Sequence, residues 1–217
     1  MSLENINQAF KTQLFIIAKT ISIIFHPMVF SLLVFTIIIF NNSVIHPQSF
    51  TILFTCFIFS NLLPITTLFL LQKKGVISDL DASIKEERIM PLYLGILFAI
   101  LGYALLHIQG ASLLVKGLMF CTITNTIVII IITRYWKISI HAMGISGLLS
   151  VLWIHNKEYP FIMLIILLLV AYSRVILKAH SIAQVTIGSI LGLFLTLIQI
   201  HFLFLHIWYS QIWLKPT

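Results

Sequence analysis

Charge is what this sequence has least of. Asp, Glu, Lys and Arg together make up 9% of its 217 residues, while 60% are hydrophobic, and the mean hydropathy is +1.10. A soluble domain is about half apolar and about a quarter charged. Too little polar surface remains to coat a globule in water, so a soluble enzyme and a disordered chain are both excluded. Cysteine is nearly absent. Cys56 and Cys121 each sit inside an apolar run, far from any other thiol, which excludes a disulfide framework and a thiolate metal site. Both are read as small core residues. Acidic side chains number six against 13 Lys and Arg, for a net charge of +7. The cations are scattered between apolar runs rather than gathered on one face. They therefore speak against a nucleic-acid partner and serve as topology markers and anion ligands. No small-residue cleavage site follows the first apolar run, from Leu14 to Phe40. That run far exceeds a signal-peptide core of about 7–15 residues, so it is expected to remain as an anchor.

Apolar runs are what the chain does have. A spanning helix needs roughly 20 residues, and runs of that order fall at 13–40, 50–72, 91–108, 111–133, 139–155, 159–177 and 180–206. The expected fold is all-α: one polytopic integral membrane helical bundle of about six to seven spans, a single domain over 1–217. Two spans are short enough to be re-entrant or buried within the bundle. Pro27 and Pro64 are expected to kink their helices. His26, Asn61 and Asn125 read either as functional polar groups in the bilayer or, more simply, as interhelical hydrogen-bonding or snorkelling groups. The other histidines, His46, His107, His155, His201 and His206, lie at span ends without metal-ligand spacing. Trp208, Tyr209 and Trp213 resemble an interfacial aromatic belt.

With the N-terminus on side one, the loops 73–90, 134–138 and 174–179 share that side. They and the N-terminal segment hold ten of the 13 basic residues, while Lys116, Lys157 and Lys215 fall on side two. Three side-one segments carry the groups that phosphate chemistry needs. The first is the loop from Ser78 to Pro91, with Lys85 and Arg88. The second runs from Lys137 to Gly144, with Ser139 and His141, and the third from Tyr172 to Gln184, with Arg174 and His180. A guanidinium pairs bidentately with phosphate oxygens. A neutral imidazole can attack phosphorus, and a protonated one can supply the leaving alkoxide with its proton. His180 and Gln184 are four apart at the start of a helix, so the Gln184 carbonyl is placed to accept the ring N–H and fix the tautomer. The helix N-terminus beside them favours an anion.

The string Ser173-Arg174, five residues, His180, three residues, Gln184 resembles the third motif, S-R-x5-H-x3-D, of the type-2 phosphatidic-acid phosphatase superfamily. Ile138-Ser139-Ile140-His141 resembles the second, P-S-G-H. The loop with Lys85, Arg88 and Pro91 is a looser match to the first, K-x6-R-P. The resemblance runs from about Gly75 to Gly192, within a motif-bearing core of about 73–192. It implies a membrane-embedded helical enzyme that uses no metal or other cofactor. Such an enzyme hydrolyses a phosphomonoester or pyrophosphate of an isoprenoid or glycerolipid through a phosphohistidine. His180 would match the nucleophile and His141 the general acid. Arg174, Ser139, Lys85 and Arg88 would hold the phosphate. The implied partners are the bilayer and a lipid phosphate. The implied location is a bacterial inner membrane, where such enzymes commonly work on the outer face. The departures are specific. Gln184 replaces the aspartate that orients and charges the nucleophile. Ile138 and Ile140 replace proline and glycine. Asp81 stands seven residues before Arg88, where the pattern has lysine.

Two other functions compete, while a channel or transporter, a third class, lacks a pseudo-symmetric pair of broken helices in the sequence. A non-catalytic phospholipid-binding or scaffold protein on the same fold is favoured by Gln184. An intramembrane serine protease is suggested by Gly144-Ile145-Ser146-Gly147. Ser146, however, should lie about 10 Å inside its helix, while His180 lies at a boundary. Small-residue helix packing explains those glycines better.

Overall fold

The computed structural model describes residues 3–41, 47–155 and 159–205. Their regular structure is helical throughout, with no strand among the described residues. In chain order the helices are α1 (Leu3–Ile24), α2 (Pro27–Phe40), α3 (Pro47–Phe57), α4 (Leu63–Lys73), α5 (Ile89–Ile108), α6 (Leu113–Tyr135), α7 (Ile140–Ile154), α8 (Pro160–Ile176) and α9 (Ile182–Ile198). The proposed aromatic belt at Trp208, Tyr209 and Trp213 lies outside the described residues, as do His46, His206, Lys157 and Lys215.

Four helical segments are long and apolar enough to cross a membrane: Pro47–Lys73, Glu86–Ile108, Leu113–Tyr135 and Ile182–Leu203. A fifth is the pair Asn7–Ile24 and Pro27–Phe40, if its two parts count as one span. The pair is bent by 43°, so the expected single run over 13–40 is interrupted at Phe25–His26. Pro27 takes the first position of α2, where its missing N–H costs nothing, and His26 caps the helix by accepting the Met28 N–H at its Nδ1. The second proline acts differently. Pro64 follows a π-helical turn, Ile58–Leu62. A wider turn there moves the carbonyl that the pyrrolidine ring would otherwise strike, so the span continues rather than breaking. Helices α7 and α8, with 15 and 17 residues, are about 22 and 26 Å long at 1.5 Å per residue, short of a hydrocarbon core of about 30 Å. α7 solves its own solvation by being enclosed: most of its residues are buried.

Large apolar side chains cover the outside. Phe54, Leu101, Ile131, Phe161, Leu168 and Phe194 are all exposed. A water-facing surface does not carry apolar area on this scale; lipid is the solvent that accepts it, and this is the architecture of an integral membrane protein. Polar groups inside find one another across helices. Thr124 pairs with Gln199, which donates to Asn125, which donates to Thr196, tying α6 to the end of α9. Ser31 on α2 donates to Asn61 in the π turn. The interhelical role expected of Asn61 and Asn125 is what the structure has. Cys56 and Cys121 are free and buried, also as expected.

Helices α7 and α9 pack closely against each other. A Cβ on Gly192 would collide with the Met143 carbonyl and the Ser146 hydroxyl. A Cβ on Gly188 would likewise come within 2.9 Å of the Ser139 carbonyl. Ser146 itself donates to the Met143 carbonyl in its own helix and is fully buried. Gly192→Ala is therefore expected to push the two helices apart at a cost of about 1–3 kcal/mol. A lowered melting temperature in detergent would register it. Gly95→Ala is the control, since nothing lies within 4 Å of its Cβ position.

Candidate active site

The three side-one segments meet at one end of the bundle. α8 ends in a turn whose Lys178 has φ 52°. The turn folds back so that the N–H groups of Ala179 and His180 both reach the Arg174 carbonyl, at 3.1 and 3.3 Å. His180 is thereby tied to the turn that carries Arg174. One residue later α9 begins with a capping box: Ser181 Oγ accepts the Gln184 N–H at 3.3 Å, and Gln184 Oε1 accepts the Ser181 N–H at 3.2 Å. The same Gln184 Oε1 lies 3.1 Å from His180 Nδ1. An oxygen that already accepts a backbone N–H is an acceptor for the ring as well. Nδ1 therefore carries the proton, and the Nε2 lone pair is left free.

Arg88 is only 3% exposed. Its Nε donates to the Ala82 carbonyl at 2.8 Å and its Nη1 to the Ile138 carbonyl at 3.1 Å. Ala82 reaches this geometry with φ 44°, an unusual conformation for a residue with a Cβ. Both partners of Arg88 are neutral, so its charge is oriented but not cancelled. Arg174, also 3% exposed, donates from Nη1 to Ser22 Oγ at 2.7 Å and to Asp81 Oδ2 at 2.9 Å, while its Nε has no partner among the described residues. His141 occupies the first turn of α7 and is 6% exposed. Its ring meets that of His26 edge-on, with centroids 4.6 Å apart.

Arg88, Arg174, His141 and His180 line one cavity of about 250 Å³, together with His26 and Asp81. Away from this charged head the walls are largely apolar, with Met28, Phe59, Leu68, Leu92 and Leu118, and are interrupted by Ser60, Asn125 and Thr126. The shape is that of a site for an amphiphile: anionic at the head and hydrocarbon below. Two buried guanidinium groups face a single carboxylate, which leaves the head net positive and suited to a multiply charged anion. His180 is held neutral, its imidazole lowered to about 4 by burial first and then by the Arg88 guanidinium, against the opposing Gln184 bond.

Two residues expected to hold phosphate are elsewhere. Lys85 does not line the cavity; its ammonium pairs with Glu86 at 3.7 Å, half-exposed. Ser139 is fully buried and caps α7 by accepting the Ala142 N–H at 3.4 Å. Lys137, which the motif spacing passes over, does not line the cavity either, but its charge lies close enough to act on His180. Burial and the fields of Arg88 and Arg174 hold its ammonium below the ordinary range. Asp81, read from the sequence as a departure from the first motif, and His26, read as one of three polar groups within apolar runs, also line the cavity. Lys137→Ala is expected to lower kcat/KM for an anionic substrate about 5- to 10-fold, the equivalent of roughly 1 kcal/mol. Lys85→Ala should change it less than about twofold. Equal effects of the two variants would place Lys137 outside the site.

Comparison of the chain with models of protein families, with characterised proteins and with solved structures finds no match.

Proposed function

We propose that this chain is a lipid-phosphate phosphatase, acting on a phosphomonoester or pyrophosphate of an isoprenoid or glycerolipid through a phosphohistidine, as its resemblance to the type-2 phosphatidic-acid phosphatases implies. The observation that carries it is the conjunction at one cavity head of two buried arginines and a neutral His180 with Nε2 free. Arg88 and Arg174 bind the phosphate oxygens. His180 Nε2 forms a bond to phosphorus, and the bond from phosphorus to the lipid oxygen breaks. His141, on the same cavity wall, gives its proton to the departing alkoxide. It then takes a proton from the water that releases inorganic phosphate and restores His180. The apolar walls hold the lipid chain in the bundle. No step calls for a metal.

A second function has its own support. Gln184 supplies no charge to stabilise an imidazolium, and Asp81 already occupies one arm of Arg174. Both features suit a pocket that binds lipid phosphate without turning it over. The serine-protease alternative loses its support, because Ser146 is enclosed between α7 and α9 and bonded to its own helix. Release of inorganic phosphate from a panel of lipid phosphates, by purified protein with chelator present, separates enzyme from binder. Tight binding without release would leave only the second.

The membrane is read as a bacterial inner membrane with the site on its cytoplasmic side. Setting aside Lys85, Arg88 and Arg174 as candidate ligands leaves seven basic residues on side one against three on side two, and Lys and Arg gather in cytoplasmic loops. Cysteine placed at Ser83, in the exposed loop before Arg88, is expected to resist a membrane-impermeant thiol reagent in intact cells. Cysteine at Ser112, at the opposite end of the bundle, should label. The reverse pattern would put the phosphate pocket on the outer face.

A further inference from the structure

The proposed reaction gives no role to two side chains that gather around His141. His26, at the break between α1 and α2, and Asp81, in the loop before Arg88, converge with His141 at the start of α7. One ligand atom from each, two ring nitrogens and a carboxylate oxygen, lie within 4.8 Å of one another. His141 is 94% buried, and its Nε2 has no hydrogen-bond partner among the described residues. A buried imidazole nitrogen with nothing to bind is costly, and this one belongs to a residue of the cavity wall. Asp81 gives only one oxygen, Oδ2, to Arg174, which fixes the carboxylate over the cavity and leaves Oδ1 for a cation. A hydrogen-bond donor behind a ligating carboxylate is the usual outer shell of a metal site.

We propose that His26, Asp81 and His141 bind a divalent cation of the zinc class, and that its occupancy takes His141 out of proton transfer. Two imidazoles and one carboxylate form a nitrogen-rich set that selects Zn²⁺, Co²⁺ or Fe²⁺ over Mg²⁺ and Ca²⁺, which take all-oxygen sites. Three protein ligands leave a position open towards the cavity. Ligands about 2.0–2.2 Å from one ion are closer together than these atoms are. The closing movement falls to Asp81, whose side chain is 39% exposed on a loop. His26 Nδ1 accepts the Met28 N–H at a long 3.3 Å, so the nitrogen for the cation is Nε2. Its proton moves to Nδ1 on binding, and that long bond is given up. With the cation bound, the lone pair of a His141 nitrogen is committed to it, and the leaving alkoxide goes without its donor. The binding stands on this geometry alone; the inhibition rests on the role given to His141 above.

The test uses the full chain in detergent, stripped with chelator and titrated first with Co²⁺, whose visible absorption reports its ligands, then with Zn²⁺ by calorimetry. The expected result is one ion per chain, not displaced by millimolar Mg²⁺. His26→Ala and Asp81→Asn should each weaken it by about 10-fold or more, and His107→Ala should not. The two sensitive positions lie on different segments, so a folding failure in one leaves the other to decide. No stoichiometric binding, or equal affinity in both variants, would overturn the site. Zn²⁺ should also stop phosphate release by the wild-type chain, with Asp81→Asn needing about 10-fold more Zn²⁺. Full activity in the Zn²⁺-loaded protein would overturn the inhibition. Binding is read without substrate, so a chain that binds Zn²⁺ but hydrolyses nothing keeps the cation site and loses the phosphatase.

Discussion

Replacing His180 with alanine is expected to abolish phosphate release, by roughly 10³-fold or more, because its Nε2 is the nucleophile of the proposed reaction. The fold should survive the change. Among the described residues the imidazole's side-chain hydrogen-bond partner is Gln184, and the capping box that starts α9 is made by Ser181 and Gln184 without it. The backbone N–H of residue 180 still reaches the Arg174 carbonyl. The variant should therefore melt within a degree or two of wild type and still bind lipid phosphate through Arg88 and Arg174. Two measurements check this: inorganic phosphate release, and trapping of an acid-labile phosphoenzyme that forms in wild type and not in the variant. Hydrolysis at the wild-type rate would take His180 out of the mechanism. A normal phosphoenzyme in His180→Ala would place the nucleophile elsewhere.

The sequence made the architecture legible where one physical demand acts on many consecutive residues. Lipid requires long apolar runs, so the spans from Pro47, Glu86, Leu113 and Ile182 were visible. The shared end of the three motif segments followed from counting crossings. The His180–Gln184 bond was visible for a local reason, since a spacing of four at a helix start admits few geometries. What stayed hidden depends on contacts between distant segments. Lys85 looked like a phosphate ligand because it lies near Arg88 in the chain. Arg88, however, is drawn inward by the carbonyls of Ala82 and Ile138, and Lys85 is left outside beside Glu86. Lys137 has no position in the motifs, and His26 stands out only as one of three polar groups within apolar runs. Lys137 matters because its loop passes close to the two arginines, and His26 because α2 starts where α7 starts. Asp81 was noticed only as a mismatch, although its contact with Arg174 shows a residue with a structural partner. The kink expected at Pro27 is present as a bend of 43°, although hydropathy alone reads 13–40 as one run and does not register that the helix ends ahead of the residue preceding the proline.

Gln184→Asp is expected to raise turnover. Gln184 Oε1 now orients the His180 ring but carries no formal charge, so the positive charge that grows on the imidazole during attack is unopposed by its neighbour. The reverse change in a serine protease, aspartate to asparagine beside the catalytic histidine, costs about 10⁴ in turnover. A gain of up to that order is the ceiling here, reduced because aspartate is one methylene shorter and must still reach Nδ1. The pH dependence should move with it. With the amide, His180 is held down to about 4, so activity in wild type should fall only as pH drops through that value, when the ring protonates and loses its free lone pair. A carboxylate at 184 favours the charged imidazolium, raises the His180 pKa and shifts the acid limb to higher pH. A higher turnover accompanied by that upward shift is the expected pair of results. Gln184→Ala should lose activity because the ring is then free to rotate and to exchange tautomers. Unchanged activity in Gln184→Ala would show that the reaction needs no orienter, and an acid limb unmoved by Gln184→Asp would show that His180 is not the group whose titration limits the rate.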